Sequence, residues 1–167
     1  MRPWNSVTCL PLLAAGVCAL QGQANIGQAR FVQAFYDWYV PIALRDNRDP
    51  GWYVVLTDRA TSLAPDLVRA LKADSAAQAR ATEGVVGLDF DPFLNTQDPD
   101  DHYVVGQTTR QGKRSLVEVY SVRSGKRSNK PDVIAELEWQ GGLWVFVNFY
   151  YPNMRTDLLS VLKGLQQ

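Results

Sequence analysis

Two consecutive segments near the end of the chain restrict its fold more than any other feature. From Asp132 to Gln140 the residues alternate strictly. Val133, Ala135, Leu137 and Trp139 lie on one face, and Ile134, Glu136, Glu138 and Gln140 on the other. A period of two is the side-chain period of a β-strand with one face buried. Gly141-Gly142 follows, and two glycines supply the positive φ angles that a tight hairpin turn requires. Leu143 to Tyr150 is then apolar on nearly both faces, the pattern of an interior strand covered on both sides. Such a hairpin is not stable alone. It needs further strands beside it and a layer packed on it.

The rest of the chain supplies both. Tyr103 to Thr109 reads as a strand, Gln111-Gly112 as a turn, Leu116 to Val122 as a second strand and Ser124 to Pro131 as a polar connection. After Pro152-Asn153, Leu158, Leu162 and Leu165 form the stripe of a closing helix. Upstream, Val32, Phe35, Tyr36, Tyr39 and Ala43 recur at helical spacing. Asn25 is the expected N-cap of that helix, with Gln28 three positions later, and Pro41 is expected to kink or end it near Val40. Arg45 to Gly51 carries loop chemistry, and the run Trp52 to Leu56 is too short for periodicity to assign. Thr61 or Ser62 is predicted to cap a second helix that tolerates Pro65 in its first turn and turns Leu67, Ala70 and Leu71 inward. Ser75 to Ala81 continues that helix or forms a short third one, and Gly84 to Asn95 reads as a structured loop. This order predicts an α+β domain: N-terminal helices packed on a curled antiparallel sheet of about four strands, closed by a C-terminal helix.

The first 24 residues read as an address. Arg2 is a short positive region, Val7 to Leu20 is an uncharged run too short to span a bilayer, and Gly22 and Ala24 precede an expected cleavage before Asn25. The competing reading, a buried N-terminal helix, is opposed by Pro3 and Pro11. Lipid attachment at Cys18 is not expected, because Val17 stands where a small residue belongs. The expected organisation is a signal peptide over 1–24 and a single domain over 25–167, with the product periplasmic or secreted. Removing 1–24 removes Arg2 and both cysteines, leaving 16 Lys plus Arg against 17 Asp plus Glu. Disulfides and thiolate zinc sites are then excluded. Near-zero net charge removes the electrostatic basis for nucleic-acid binding. No cofactor is implied, and no stable membrane span is expected after cleavage.

Three stretches, FVQAFYDWYV (Phe31 to Val40), DFDPFLNTQD (Asp89 to Asp98) and GGLWVFVNFYYP (Gly141 to Pro152), resemble domain-of-unknown-function family 3828, a set of small exported Gram-negative proteins. The resemblance covers roughly Ile26 to Leu165. It implies a nuclear transport factor 2-like, or cystatin-like, cone fold and an exported compartment, and it implies no reaction.

Candidate site residues follow from composition. Asp89, Asp91, Asp98, Asp100 and Asp101 crowd one segment with the oxygen ligands that Ca²⁺ uses. Their spacing is not that of an EF-hand loop, so turn and cap duty is the preferred reading, with no metal assigned. His102, the single histidine, adjoins Asp100 and Asp101, as an acid–base pair would require. Neighbours on a strand point to opposite faces, however, which favours an ordinary surface histidine. The aromatics, with Asn148 and Tyr150 as polar groups among them, suit a helix–sheet core or a pocket within it. Trp38 lies off its helix's main stripe and is the aromatic expected to face a partner. Arg110 to Arg114 and Ser124 to Lys130 are two basic hairpin tips, read as solvated surface unless they meet an anionic partner at neighbouring edges.

These features predict a non-catalytic exported protein that binds a protein partner or small ligand in the cell envelope through its cone mouth or exposed sheet face. An immunity-type protein is the sharper version. The alternative is a small envelope enzyme using an Asp-His or Tyr-Asp pair in a cone-shaped pocket.

Overall fold

The computed structural model describes residues 15–45, 49–82 and 86–166, with side chains described from Gly27 onward. Helix α1 spans Ala15–Ala43, α2 Trp52–Asp58 and α3 Pro65–Arg80, with a single 3-10 turn at Ala60–Ser62. The strands are β1 His102–Gln111, β2 Arg114–Arg123, β3 Lys126–Arg127, β4 Val133–Gln140, β5 Leu143–Tyr151 and β6 Thr156–Asp157, and α4 Leu158–Gly164 closes the chain. The sheet is antiparallel in the order β1-β2-β4-β5-β6, with β3 paired to β2 beyond a turn at Ser124-Gly125. The expected α+β class and layer order stand. The four long strands are those read from the sequence, and two short pairings extend the sheet at its margins.

The core forms where α1 lies on the inner face of the sheet. Val32, Phe35, Tyr36 and Tyr39 are buried on α1. Val117 and Val119 are buried on β2, Val133, Ala135 and Leu137 on β4, and Phe146, Phe149 and Tyr151 on β5. Phe35 is the hub, with ring centroids of Phe146, Phe93 and Tyr39 at 4.8, 5.4 and 5.5 Å. Each such buried side chain contributes about 1.5–3 kcal/mol of transfer free energy. Leu67 and Leu71 of α3 and Leu158 and Leu162 of α4 complete the same core. The strand β5 is apolar on both faces because Val145 and Val147 pack with Ala64 in a second small cluster. The segment before α3 runs alongside it, with the Ala64 amide donating to the Phe146 carbonyl at 2.8 Å.

The segment from Asp91 to Leu94 passes through the core as a loop, and three tyrosines hold it there. The Tyr36 hydroxyl donates to the Phe93 carbonyl at 2.8 Å, the Tyr151 hydroxyl to the Pro92 carbonyl at 2.8 Å, and the Tyr39 hydroxyl to the Asp91 carboxylate. Buried backbone carbonyls without ladder partners must be paired by side chains, and here they are.

Local expectations are corrected at several points. Helix α1 begins upstream of Asn25, so that residue lies inside the helix rather than at its cap, and the helix runs past Pro41 to Ala43. The run Trp52 to Leu56 is helical, because Trp52 and Val55, one turn apart, are the residues buried. The N-cap of α3 is Ala64, and neither Thr61 nor Ser62 caps it; Pro65 takes the first helical position, where its missing N–H costs nothing. Ser75 to Arg80 continues α3. Leu165 follows the end of α4 and is 46% exposed. The two basic tips lie at opposite ends of β2, not at neighbouring edges, since one precedes Arg114 and the other follows Arg123. The expected cleavage position falls within the backbone of α1, and the upstream targeting residues 1–14 lie outside the described residues.

Candidate partner-binding surface

The residues singled out by sequence do not converge. Asp91 is a structural residue: its carboxylate accepts the Phe93 and Leu94 amides at 2.9 and 3.1 Å as well as the Tyr39 hydroxyl. Burial raises its pKa from 3.8 to about 6 against the lowering effect of those hydrogen bonds. The same burial, with the Asp91 carboxylate next, pushes the Tyr39 hydroxyl well above the ordinary tyrosine range. Asp91 borders a cavity of about 430 Å³ that Trp52, Asp89 and Phe90 also line, and Tyr39 is not among the lining residues. Asp98 is exposed, 3.8 Å from the Arg123 guanidinium, and Arg123 is held chiefly by Asp100. His102 is exposed at the start of β1. Among the described residues no three His, Cys, Asp or Glu side chains are grouped to hold a metal.

Asn148 is a joint rather than a ligand site. Its amide donates to Asp157 at 2.8 Å, and its oxygen accepts the Phe149 and Leu159 amides at 2.9 and 3.2 Å. It thereby fixes the start of α4 to β5. Trp38 is half-buried: it packs at the margin of the core, and the Arg59 guanidinium lies over its ring at 5.0 Å. Tyr150 lies on a second concave surface, away from the cavity at Asp91. With Leu116, Ile134, Pro152 and Arg155 it lines a shallow cavity of about 520 Å³ on the outer face of the sheet. Its hydroxyl lies 3.4 Å from Glu136, which Arg114 approaches at 3.5 Å.

The largest apolar exposure lies elsewhere, at the β4–β5 hairpin tip. Trp139 is 56% and Leu143 62% exposed. Trp139 pairs across the hairpin with Trp144, edge to face at 5.0 Å, and Trp144 packs back onto the core. The pair is therefore a rigid aromatic knob rather than a loose side chain. Alternation correctly places Trp139 on the inner face of β4. The strand carries it beyond the residues that cover Leu137, so the inner face becomes an outer rim. Arg114 on the adjacent strand is bound to Glu136 and Glu138, at 3.5 and 3.6 Å. Arg110 and Lys113, on the neighbouring hairpin at the same end of the sheet, make no ion pair among the described residues. The result is an apolar knob beside uncommitted positive charge. Trp and Arg are the residue types most enriched among binding hot spots. The sequence signal for it was the place of Trp139, two residues before the turn in Trp-Gln-Gly-Gly, where a strand outruns its cover.

No family model matches the sequence, and no curated protein matches it. Solved structures do. A chain of the native type VI effector–immunity complex Tae3–Tai3 from Ralstonia pickettii superposes with a TM-score of 0.52 at 22% identity, covering 74% of this chain and 93% of that one. A chain of the selenomethionine crystal of the same complex gives 0.52 and 22%, covering 75% and 96%. At this identity the likeness shows a shared fold. Among the described residues no helix is long and apolar enough to cross a membrane.

Proposed function

We propose that the chain is an exported immunity-type protein that binds a protein partner in the cell envelope through the Trp139–Leu143 end of its sheet. The observation that carries this reading is the rigid, exposed Trp139–Trp144 pair with Leu143. Large exposed aromatics backed by a core seldom persist on a surface that meets only water. The fold likeness to chains of an effector–immunity complex supports a protein rather than a small-molecule partner, and the short apolar N-terminal run supports export. The runner-up, an envelope enzyme using a Tyr-Asp pair, has the Tyr39–Asp91 contact in its favour. One oxygen of that carboxylate accepts two backbone amides and the other accepts the Tyr39 hydroxyl, which leaves neither oxygen open to take a proton from a substrate.

The test is affinity capture of the tagged chain from its native envelope fraction after mild crosslinking, with mass spectrometry of what elutes. One dominant protein, retained by wild type and lost by Trp139→Ala, supports the proposal. A clean chain, or a partner equally retained by the variant, refutes it.

A further inference from the structure

Resting on that reading, we infer that the free edge of β1 from Gln107 to Gln111 is a pairing edge that accepts an extended, carboxylate-bearing segment of the partner protein as an added strand. The outermost strand of the sheet is β1. Its first half is closed by its own chain. The Gln33 amide donates to the Tyr103 carbonyl at 3.0 Å and accepts the Val105 N–H at 2.9 Å, imitating a neighbouring strand. These two bonds also show which residues turn their backbone outward, namely Tyr103 and Val105, while Val104 faces Tyr120 on β2. Between Val105 and Thr108 the register slips by one residue. A bulge of this kind reverses which residues face outward. Beyond it Thr109 and Gln111 face Leu116 and Arg114, so Thr108 and Arg110 point their N–H and C=O groups away from the sheet.

Among the described residues nothing hydrogen-bonds to those four groups, and Gln107, Thr109, Arg110 and Gln111 are exposed. Exposed strand edges of this length are templates for pairing, and proteins commonly block them. Here one half is blocked by Gln33 and the other is left open beside the aromatic knob. The chemistry of the incoming strand follows from charge. Arg110 and Lys113 flank the open half without an ion-pair partner among the described residues, while Arg114 is already neutralised by Glu136 and Glu138. Extended segments added to a sheet edge gain affinity from main-chain bonds and selectivity from flanking side chains. Aspartate or glutamate opposite Arg110 completes the match.

The probe is a capped octapeptide of alternating threonine and valine carrying two glutamates, compared with its lysine counterpart. Amide hydrogen exchange of the chain is followed at about 1 mM peptide, where a Kd of about 0.2 mM slows exchange of a protected amide about sixfold. The expected result is slowing of that size at Thr108 and Arg110 with the glutamate peptide, no change at Val105, and no slowing with the lysine peptide. Arg110→Pro removes one outward N–H without touching the β2 ladder, a substitution that edge strands tolerate, and it should abolish the effect; Arg110→Gln should weaken it only severalfold. Unchanged exchange at Thr108 and Arg110, or equal slowing by both peptides, overturns the inference even if Arg110→Pro fails to fold. A chain that captures its partner through Trp139 but shows no slowing refutes the edge alone. A chain that captures nothing refutes the reading on which the edge rests.

Discussion

Replacing Asp91 by asparagine should make the protein more stable at neutral pH, by an amount that grows with pH. In the folded chain the Asp91 carboxyl titrates at about 6, against 3.8 for the ordinary group, because burial outweighs the three hydrogen bonds it accepts. A raised folded pKa means that its stabilising contribution is fully present below 3.8 and is lost as pH rises through about 6. Two pKa units correspond to about 3 kcal/mol at 1.36 kcal/mol per unit, an upper figure for a group that keeps some solvent contact. Asparagine keeps the oxygen that accepts the Phe93 and Leu94 amides and presents its NH₂ to the Tyr39 hydroxyl, which can accept. It behaves as the neutral acid at every pH. Urea unfolding of wild type and Asp91→Asn at pH 3.5, 5, 6 and 7, followed by tryptophan fluorescence, gives the difference directly. The stability gap should be small at pH 3.5, open between pH 4 and 6, and reach about 1–3 kcal/mol in favour of the variant at pH 7. A gap that is flat with pH, or one favouring wild type more strongly as pH rises, would refute the argument. The second outcome would mean that the carboxylate is a functional charge stabilised by its surroundings.

Asp157 should show the opposite sign. Burial acts to raise its pKa, but hydrogen bonds from Ser160, Asn148 and the start of α4 outweigh it and hold the carboxyl low. Asp157→Ala should therefore cost about 1 kcal/mol near neutrality, as for the loss of an N-cap, with the deficit fading as pH falls through the lowered pKa in the same urea series. Gly106, in the β1 bulge, lies under the Tyr120 ring, where an added Cβ would clash with ring carbons. Gly106→Ala should lower the unfolding midpoint by the equivalent of about 1–3 kcal/mol, and Gly106→Ala with Tyr120→Ser should recover part of it. Gln28 is 1% exposed and donates to the Ser115 hydroxyl, but its own carbonyl oxygen has no partner. Ser115→Ala alone should destabilise by about 1–3 kcal/mol, whereas Gln28→Leu with Ser115→Ala should be neutral or stabilising by thermal melt.

The sheet was legible because its signals are local. The alternation from Val133 to Leu137, the double glycine and the apolar arm after it follow from side-chain period and turn chemistry alone, and so does the inward stripe of α1. What escaped depends on where an element ends relative to its neighbours. Period two puts Trp139 on the inner face but cannot tell that the cover stops at Leu137. The start of α1 lies upstream of Asn25 because a helix can extend through a good capping residue when the sequence before it also permits helix. Trp52 to Leu56 has the composition of a strand and became helical through the burial of Trp52 and Val55. The candidate site was less legible than the fold. Asp91 and Asn148 look reactive in sequence because polar residues among apolar ones are unusual, yet each is spent on backbone groups that the core would otherwise leave unpaired. Gln33, which closes the β1 edge, sits on a helix 70 residues from its partner and carries no local signal.

The measurement that bears most directly on the partner-binding reading is a titration of the captured partner, purified, against wild type and Trp139→Ala under conditions where both chains are folded by circular dichroism. Truncating an anchoring aromatic at an interface costs about 2–4 kcal/mol, so the account predicts at least about a thirtyfold rise in Kd. An unchanged Kd for Trp139→Ala would contradict it and move the binding surface elsewhere on the molecule.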